Sequence, residues 1–379
     1  MNLVQTKERF LALDVFRGMT VCFMIIVNTP GSGATPFSPL LHADWHGFTP
    51  TDLVFPSFLF AVGNALSFSM LKLAQQSQAK FLWRIFKRAF LIFIIGYLMY
   101  WFPFFQMGSD GHLHLSPISE TRIPGVLQRI ALCYLFASLL VRFFSTRWVA
   151  AISAFFLVLY WVLLLIFGDH ADPFSMTGNA GLYLDKYLFG DSHLYHGEGI
   201  AFDPEGLLST LPAIVNVTIG YYTGLFIQKK GQNYETIAKL LLWGSFFILI
   251  ALTWNMAFPI NKKLWTSSFV LLTCGNDLMI LALLIYITAI RYPGDHKWTV
   301  FFSVFGKNPL FIYVLSEILV ILFYLVTISN DSLYHYLNAH IFQRILPGAI
   351  GSLSFAIFFM LICWSIGRIL DRKKIYIRV

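Results

Sequence analysis

A histidine, two carboxylates and an amide fall close together early in this sequence: Asn28, His42, Asp44 and Asp52. Imidazole takes a proton near neutral pH, or carries an acyl group on a ring nitrogen. A neighbouring carboxylate orients the ring, as in hydrolase triads, and an amide donates to a carbonyl oxygen that is gaining charge. Acyl transfer from an activated donor needs little beyond such parts held in place. His42 stands in His42-Ala43-Asp44-Trp45-His46-Gly47, between an apolar segment ending at Asn28 and one opening at Thr49-Pro50-Thr51-Asp52. Thr, then Pro, then an acid is also how a capped helix begins. The residues therefore leave two readings of Asp52 open, capping and orientation. His42 and His46 have H-x-x-x-H spacing, which suits a metal only on a helix and with a third ligand, such as His112 or His114. Gly and Pro flank the stretch, and no metal site is expected.

The elements that must position these residues are apolar. The chain is 57% hydrophobic and 12% charged, about half the charge of a soluble domain, with a mean hydropathy of +0.68. Windows of ~20 residues place ten spans, at roughly 11–29, 52–74, 82–102, 124–143, 148–168, 207–228, 237–258, 265–290, 307–328 and 347–369. The expected fold is an all-α polytopic membrane helix bundle, with residues 1–379 as a single domain. One alternating set of loops and ends carries Lys7, Arg9, Lys72, Lys80, Arg84, Lys87, Arg88, Arg142, Arg147, Lys229, Lys230, Lys239, Arg291, Lys297, Arg372, Lys373, Lys374 and Arg378. The other holds few cations (Lys186, Lys262, Lys263, Arg344) against Asp169, Asp172, Asp185, Asp191, Glu198, Asp203 and Glu205. By the positive-inside rule both termini are cytoplasmic, and the stretch at about 169–206 is extracytoplasmic, covering the outer face of the bundle. The net charge of +8 then reflects topology, and nucleic-acid binding is rejected. Cys22, Cys133, Cys274 and Cys363 all fall inside spans and read as small buried apolar residues.

Polar groups inside the spans each need a reason. Asp14, Arg17 and Asn28 share one face of the first span, a charged pair at one end and an amide about 16 Å away at the other. Arg122 and Arg129, seven apart, are expected to share a face of the fourth span. Arg129 calls for an anionic partner: a ligand, or an intramembrane acid such as Asp277 or Glu317. Asn308-Pro309 is expected to break the start of the ninth helix and free backbone groups to line a cavity.

Together these segments resemble the transmembrane acetyltransferase family of lysosomal heparan-α-glucosaminide N-acetyltransferase and its bacterial membrane relatives. The pieces, in order, are Leu13-Asp14-Val15-Phe16-Arg17-Gly18, Val27-Asn28, the His42–Gly47 stretch and Asp52-Leu53-Val54-Phe55-Pro56. Arg122-Ile123-Pro124-Gly125-Val126-Leu127-Gln128-Arg129 and Asp203-Pro204-Glu205-Gly206 follow. Ile260-Asn261-Lys262-Lys263-Leu264-Trp265-Thr266-Ser267-Ser268, Gly306-Lys307-Asn308-Pro309 and Arg372-Lys373-Lys374-Ile375 complete the set.

The resemblance implies that acetyl passes from cytoplasmic acetyl-CoA, the co-substrate, to the amine of a glucosamine unit across the membrane. The family's active-site histidine matches His42. The large luminal domain of the lysosomal enzyme has no counterpart here, which favours a small amino sugar or cell-wall saccharide. On this reading His42 is the base or acetyl carrier, Asp52 or Asp44 orients it, and Asn28 binds the carbonyl oxygen. Arg17, Asp14, Lys87, Arg88 and Asn308 are the candidates for holding CoA. Arg122, Arg129, Trp45, His46, Glu317 and Asp277 are those for the acceptor. The setting is an inner (plasma) membrane if the chain is bacterial, with membrane lipid as a partner and a homodimer as the candidate assembly. N- and O-acetylation are not separable from the residues. The rival is a proton-coupled transporter or flippase built on Asp277, Glu317 and Arg129.

Overall fold

Helices occupy all ten expected spans because, in hydrocarbon, a backbone must satisfy its own hydrogen bonds. The computed structural model describes residues 10–31, 35–73, 75–108 and 110–377. Lys7, Arg9 and Arg378 lie outside the described residues. The chain runs α1 (Leu11–Asn28), α2 (Val54–Leu73), α3 (Gln78–Trp101), α4 (Val126–Phe143), α5 (Thr146–Phe167), the short α6 (Ala180–Phe189), α7 (Thr210–Lys230) and α8 (Tyr234–Trp254). It continues through α9 (Ser267–Ile285), α10 (Lys297–Lys307), α11 (Pro309–Leu325), the one-turn α12 (Leu333–Leu337) and α13 (Gln343–Ile345), and α14 (Ala349–Arg372). Two small antiparallel hairpins, Phe105–Met107 with Leu113–Leu115 and Thr327–Ile328 with Asp331–Ser332, link spans.

Among the described residues, eight helices are long and apolar enough to cross a membrane alone, and α10 with α11 makes a ninth as a bent pair. The tenth, α3, has the length at 24 residues, but Lys80, Arg84, Lys87 and Arg88 crowd its first turns. The ninth span breaks at its start, as Asn308-Pro309 leads one to expect, and α10 precedes the break. It bends by 80° at Asn308, where Pro309 has no N–H to continue the ladder. The Asn308 side chain ties the break to the tail: its amide donates to Ile375 O (3.0 Å) and its oxygen accepts from Ile377 N (2.8 Å).

Lipid gives helices no hydrophobic reason to associate, so close packing through small residues holds them. At the α1–α10 crossing, a β-carbon on Gly18 would overlap the Phe302 carbonyl, and one on Gly306 the Asp14 carbonyl. Gly63 and Gly220 play the same part between α2 and α7, and Gly244 and Gly275 between α8 and α9. The described cations of the basic set fall at one end of the bundle, where the first turns of α1 and the last of α14 meet. There Arg17 pairs with Asp14 (2.9 Å) and Lys307 with Asp371 (2.7 Å). The opposite end carries His42. The 169–206 stretch folds over that end: Trp45 donates to Phe174 O (2.8 Å) and its ring meets Phe202 edge-on at 5.6 Å.

Candidate active site

The loop bearing His42 is not helical. It runs as bends between two short 3-10 turns, Ser38–Leu40 and Pro50–Leu53, so the geometry that H-x-x-x-H metal binding needs is missing. Among the described residues no group of three His, Cys, Asp or Glu is placed to hold a metal ion. Two bonds to the 260–263 segment and one within the loop fix it: Gly47 N to Ile260 O (2.8 Å), Lys263 Nζ to Asp44 O (3.0 Å) and Thr49 Oγ1 to Leu41 O (2.7 Å).

Asp52 is fully buried, and its two oxygens divide two tasks. Oδ2 accepts from Thr49 N (2.9 Å), Thr49 Oγ1 (3.1 Å) and Ala43 N (3.2 Å). Oδ1 stands 2.7 Å from His42 Nδ1. Capping and orientation, open alternatives in the sequence, therefore hold together. A carboxylate at Nδ1 selects the tautomer with its proton there, leaving the Nε2 lone pair free as a base. The His42 side chain is 39% exposed against 1% for Asp52: a fixed buried anchor under an accessible ring. Asp44 lies exposed, and it is its backbone carbonyl that is engaged.

Lys262 is the group facing the free nitrogen. Its Nζ lies 3.0 Å from His42 Nε2 and 3.3 Å from Nδ1. Burial holds the Lys262 ammonium below its ordinary range, against the opposing pull of Glu205 and Asp52. Neighbouring Lys263 is committed elsewhere, to Glu198 Oε2 at 2.5 Å. Asn261 donates to His46 Nδ1 (3.3 Å), and burial pulls the His46 imidazolium down, with Asp172 opposing.

Around this centre, Arg122 clamps Asp203 through two bonds (2.6 and 2.8 Å) and Glu205 through a third (2.7 Å). Its guanidinium lies between the rings of Tyr100 and Tyr195, at 4.9 and 4.8 Å. Arg122 and Arg129 do not share a helix face, because α4 begins only at Val126. Arg129 turns inward, donating to Gly206 O (2.9 Å) and to Ser209 Oγ and lying over the Trp265 ring at 4.9 Å. Its expected pairing with Asp277 or Glu317 is not formed. Asp277 accepts from Ser57 (2.5 Å), and Glu317 from Asn28 (3.4 Å). Arg129, Asp277 and Glu317, on which the transporter reading rests, have three separate sets of partners. Trp265, beneath Arg129, has a left-handed φ of 55°, uncommon for a bulky residue and held by its full burial.

At the basic end a cavity of about 400 Å³ is lined by Arg17, Arg88, Tyr134, Gly306, Lys307 and Pro309, among apolar side chains. Arg17 also donates to Gly306 O (2.7 Å), and Arg88 lies over the Tyr134 ring at 4.8 Å. Lys87 is exposed beside it on α3. Basic groups at an apolar cavity suit a molecule with phosphates and a long uncharged arm. Asn308, expected to join them, has both ends of its amide engaged by the tail.

The sequence reading missed Lys262 as a site residue. Its signal is present all the same: it is a cation in the loop set that carries acids and few cations. Only a contact across 220 residues gives it a place beside His42.

Residues 9–180 match the family model described as heparan-alpha-glucosaminide N-acetyltransferase, catalytic. The heparan-alpha-glucosaminide N-acetyltransferase of Mus musculus is 30% identical over 83% of this chain and 54% of its own length. That of Homo sapiens is 28% identical over 100% of this chain and 61% of its own length. The chain thus spans a little over half the length of the curated relatives it matches. Asn28, His42, Asp52, Arg122 and Arg129 fall inside the region matched by the family model; Lys262 lies beyond it.

Proposed function

The chain is a relative of the heparan-alpha-glucosaminide N-acetyltransferases, and from that premise we propose that it is a transmembrane acyltransferase. It moves acetyl from cytoplasmic acetyl-CoA to the amine of a glucosamine-type sugar on the extracytoplasmic side of an inner membrane. One observation carries the assignment: a buried Asp52 holds Nδ1 of a half-exposed His42 at 2.7 Å, which leaves Nε2 as the nitrogen beside the Lys262 amine.

The chemistry asks for a base or carrier at the thioester carbonyl, and a thioester is activated enough that positioning does much of the rest. His42 Nε2 accepts either the acceptor's ammonium proton or the acetyl group itself. Asp52 stabilises the imidazolium that forms. Arg17 and Arg88 hold CoA phosphates at the basic end. A hydrocarbon core is ~30 Å thick, a distance that a pantetheine arm and the cavity share between them. Arg122, with Asp203 and Glu205, shapes the acceptor side. Residues 1–379 act as one acyltransferase domain, a reading supported by the bond from Arg17 to Gly306 O between distant parts of the chain.

The test is transfer of labelled acetyl from acetyl-CoA to glucosamine by the purified protein, beside His42→Ala. Loss of transfer by about 10³-fold or more in a folded variant is expected for removal of the central base. Equal transfer by both proteins removes His42 from the mechanism.

A further inference from the structure

Lys262 places a primary amine where an acceptor amine has to come. Its Nζ is 3.0 Å from His42 Nε2, the atom that receives acetyl if His42 is the carrier. Lys263, one residue on, has the same chemistry but is tied to Glu198 and to the Asp44 carbonyl. The two lysines therefore form an internal pair, one poised at the reactive nitrogen and one held away.

We propose that Lys262 is a self-acetylation site: in the absence of acceptor, the acetyl group carried by His42 passes to Lys262 Nζ. The inference rests on the acetyl-carrier reading of His42. In the first step Nε2 attacks the thioester carbonyl, the C–N bond forms and the C–S bond breaks. The departing thiolate takes a proton from the Lys262 ammonium, leaving CoA thiol, acetylated His42 with its proton still on Nδ1, and a neutral lysine amine. In the second step that amine attacks the acetyl carbonyl, the bond to Nε2 breaks, and the amine's surplus proton leaves to solvent. The sum is acetyl-CoA and lysine ammonium giving N-acetyl-lysine, CoA thiol and one proton. Burial favours the neutral amine that the second step needs. A held amine also has a large effective concentration over one arriving from solution. The product has lost its charge and its nucleophilicity, so each self-acetylated molecule leaves His42 with an uncharged neighbour. An acceptor amine that reaches acetyl-His42 first prevents the modification.

The experiment incubates full-length protein in detergent with deuterated acetyl-CoA, with and without glucosamine, and maps label by peptide mass spectrometry. The expected result is label on Lys262 at about tenfold or more the level on Lys263, in keeping with a placed amine. It should fall when glucosamine is present and vanish in His42→Gln, which keeps a polar side chain in the loop. Lys262→Arg should carry no label at that position. Label on Lys262 that persists in His42→Gln, or that matches Lys263, overturns the inference by showing solution chemistry. Acetylated glucosamine with an unlabelled Lys262 overturns it and leaves the proposed function standing. Absence of both products overturns both.

Discussion

At Asp52 one carboxylate oxygen secures a loop and the other secures a ring, so a substitution there separates stability from chemistry. Asparagine at position 52 keeps an oxygen for the Thr49 and Ala43 donors and presents an amide N–H to His42 Nδ1. That selects the other tautomer and puts a proton on Nε2, where a lone pair is needed. Asp52→Asn should lower kcat by about 10²–10⁴-fold, in line with triad carboxylates, and leave the melting temperature close to wild type. Steady-state kinetics beside thermal unfolding checks it; a lost fold with normal specific activity in the remainder would reverse the assignment. At this scale His42 and Asp52 were legible because they lie ten residues apart and flank a loop between two apolar runs. The choice of Asp52 over Asp44 was not legible, because both carboxylates are near in sequence and only the loop's path aims one at the ring.

At the scale of elements, two features are exposed to test. The α1–α10 crossing leaves no room for a side chain at Gly18. Gly18→Val would force the two backbones apart, and overpacking of this kind costs about 1–3 kcal/mol, read as a lower unfolding midpoint in detergent. The second feature is Asp185 on α6, which accepts from Leu207 N (2.9 Å) and packs where a β-carbon on Gly206 would collide with it. Burial pushes its carboxyl up to about 7 from an ordinary 3.8. Because the folded value is the higher one, this group favours folding most below pH 3.8, and that contribution is lost as pH rises through about 7. Its full range is on the order of 4 kcal/mol. Asp185→Asn removes the titration and keeps an acceptor for Leu207, so the variant should lose less stability than wild type between about pH 5 and 8. Unfolding midpoints measured across that range decide it, and parallel curves would contradict it. The spans themselves were readable from length and apolarity. The α10–α11 break was readable at Asn308-Pro309; its 80° angle and the contacts of Asn308 with the tail were not.

For the molecule as a whole, the basic cavity at Arg17 and Arg88 and the His42 centre lie at opposite ends of one bundle. That separation is what an acetyl transfer across a membrane requires. The charge pattern predicts the orientation. In sealed vesicles of cytoplasm-in sidedness, Met256→Cys, 89% exposed at the His42 end, should react with an impermeant maleimide. Lys373→Cys, at the basic end, should react only after permeabilisation. The four native cysteines are buried and free, so they give little background. The reverse labelling pattern would place the His42 centre in the cytoplasm and end the cross-membrane reading.

The sequence by itself determined that this is a helical membrane bundle, where its spans lie and which end carries positive charge. Each of those follows from a local cost: polar backbone cannot face hydrocarbon, and cations are retained on one side of the membrane. Only the tertiary structure decided that Asp52 both caps and orients, that Arg129 pairs with a carbonyl and a hydroxyl and not with Asp277 or Glu317, and that Lys262 faces His42. Those contacts join residues up to 220 positions apart. No periodicity or spacing encodes them, because they are set by how the packed helices bring their loops together at one end.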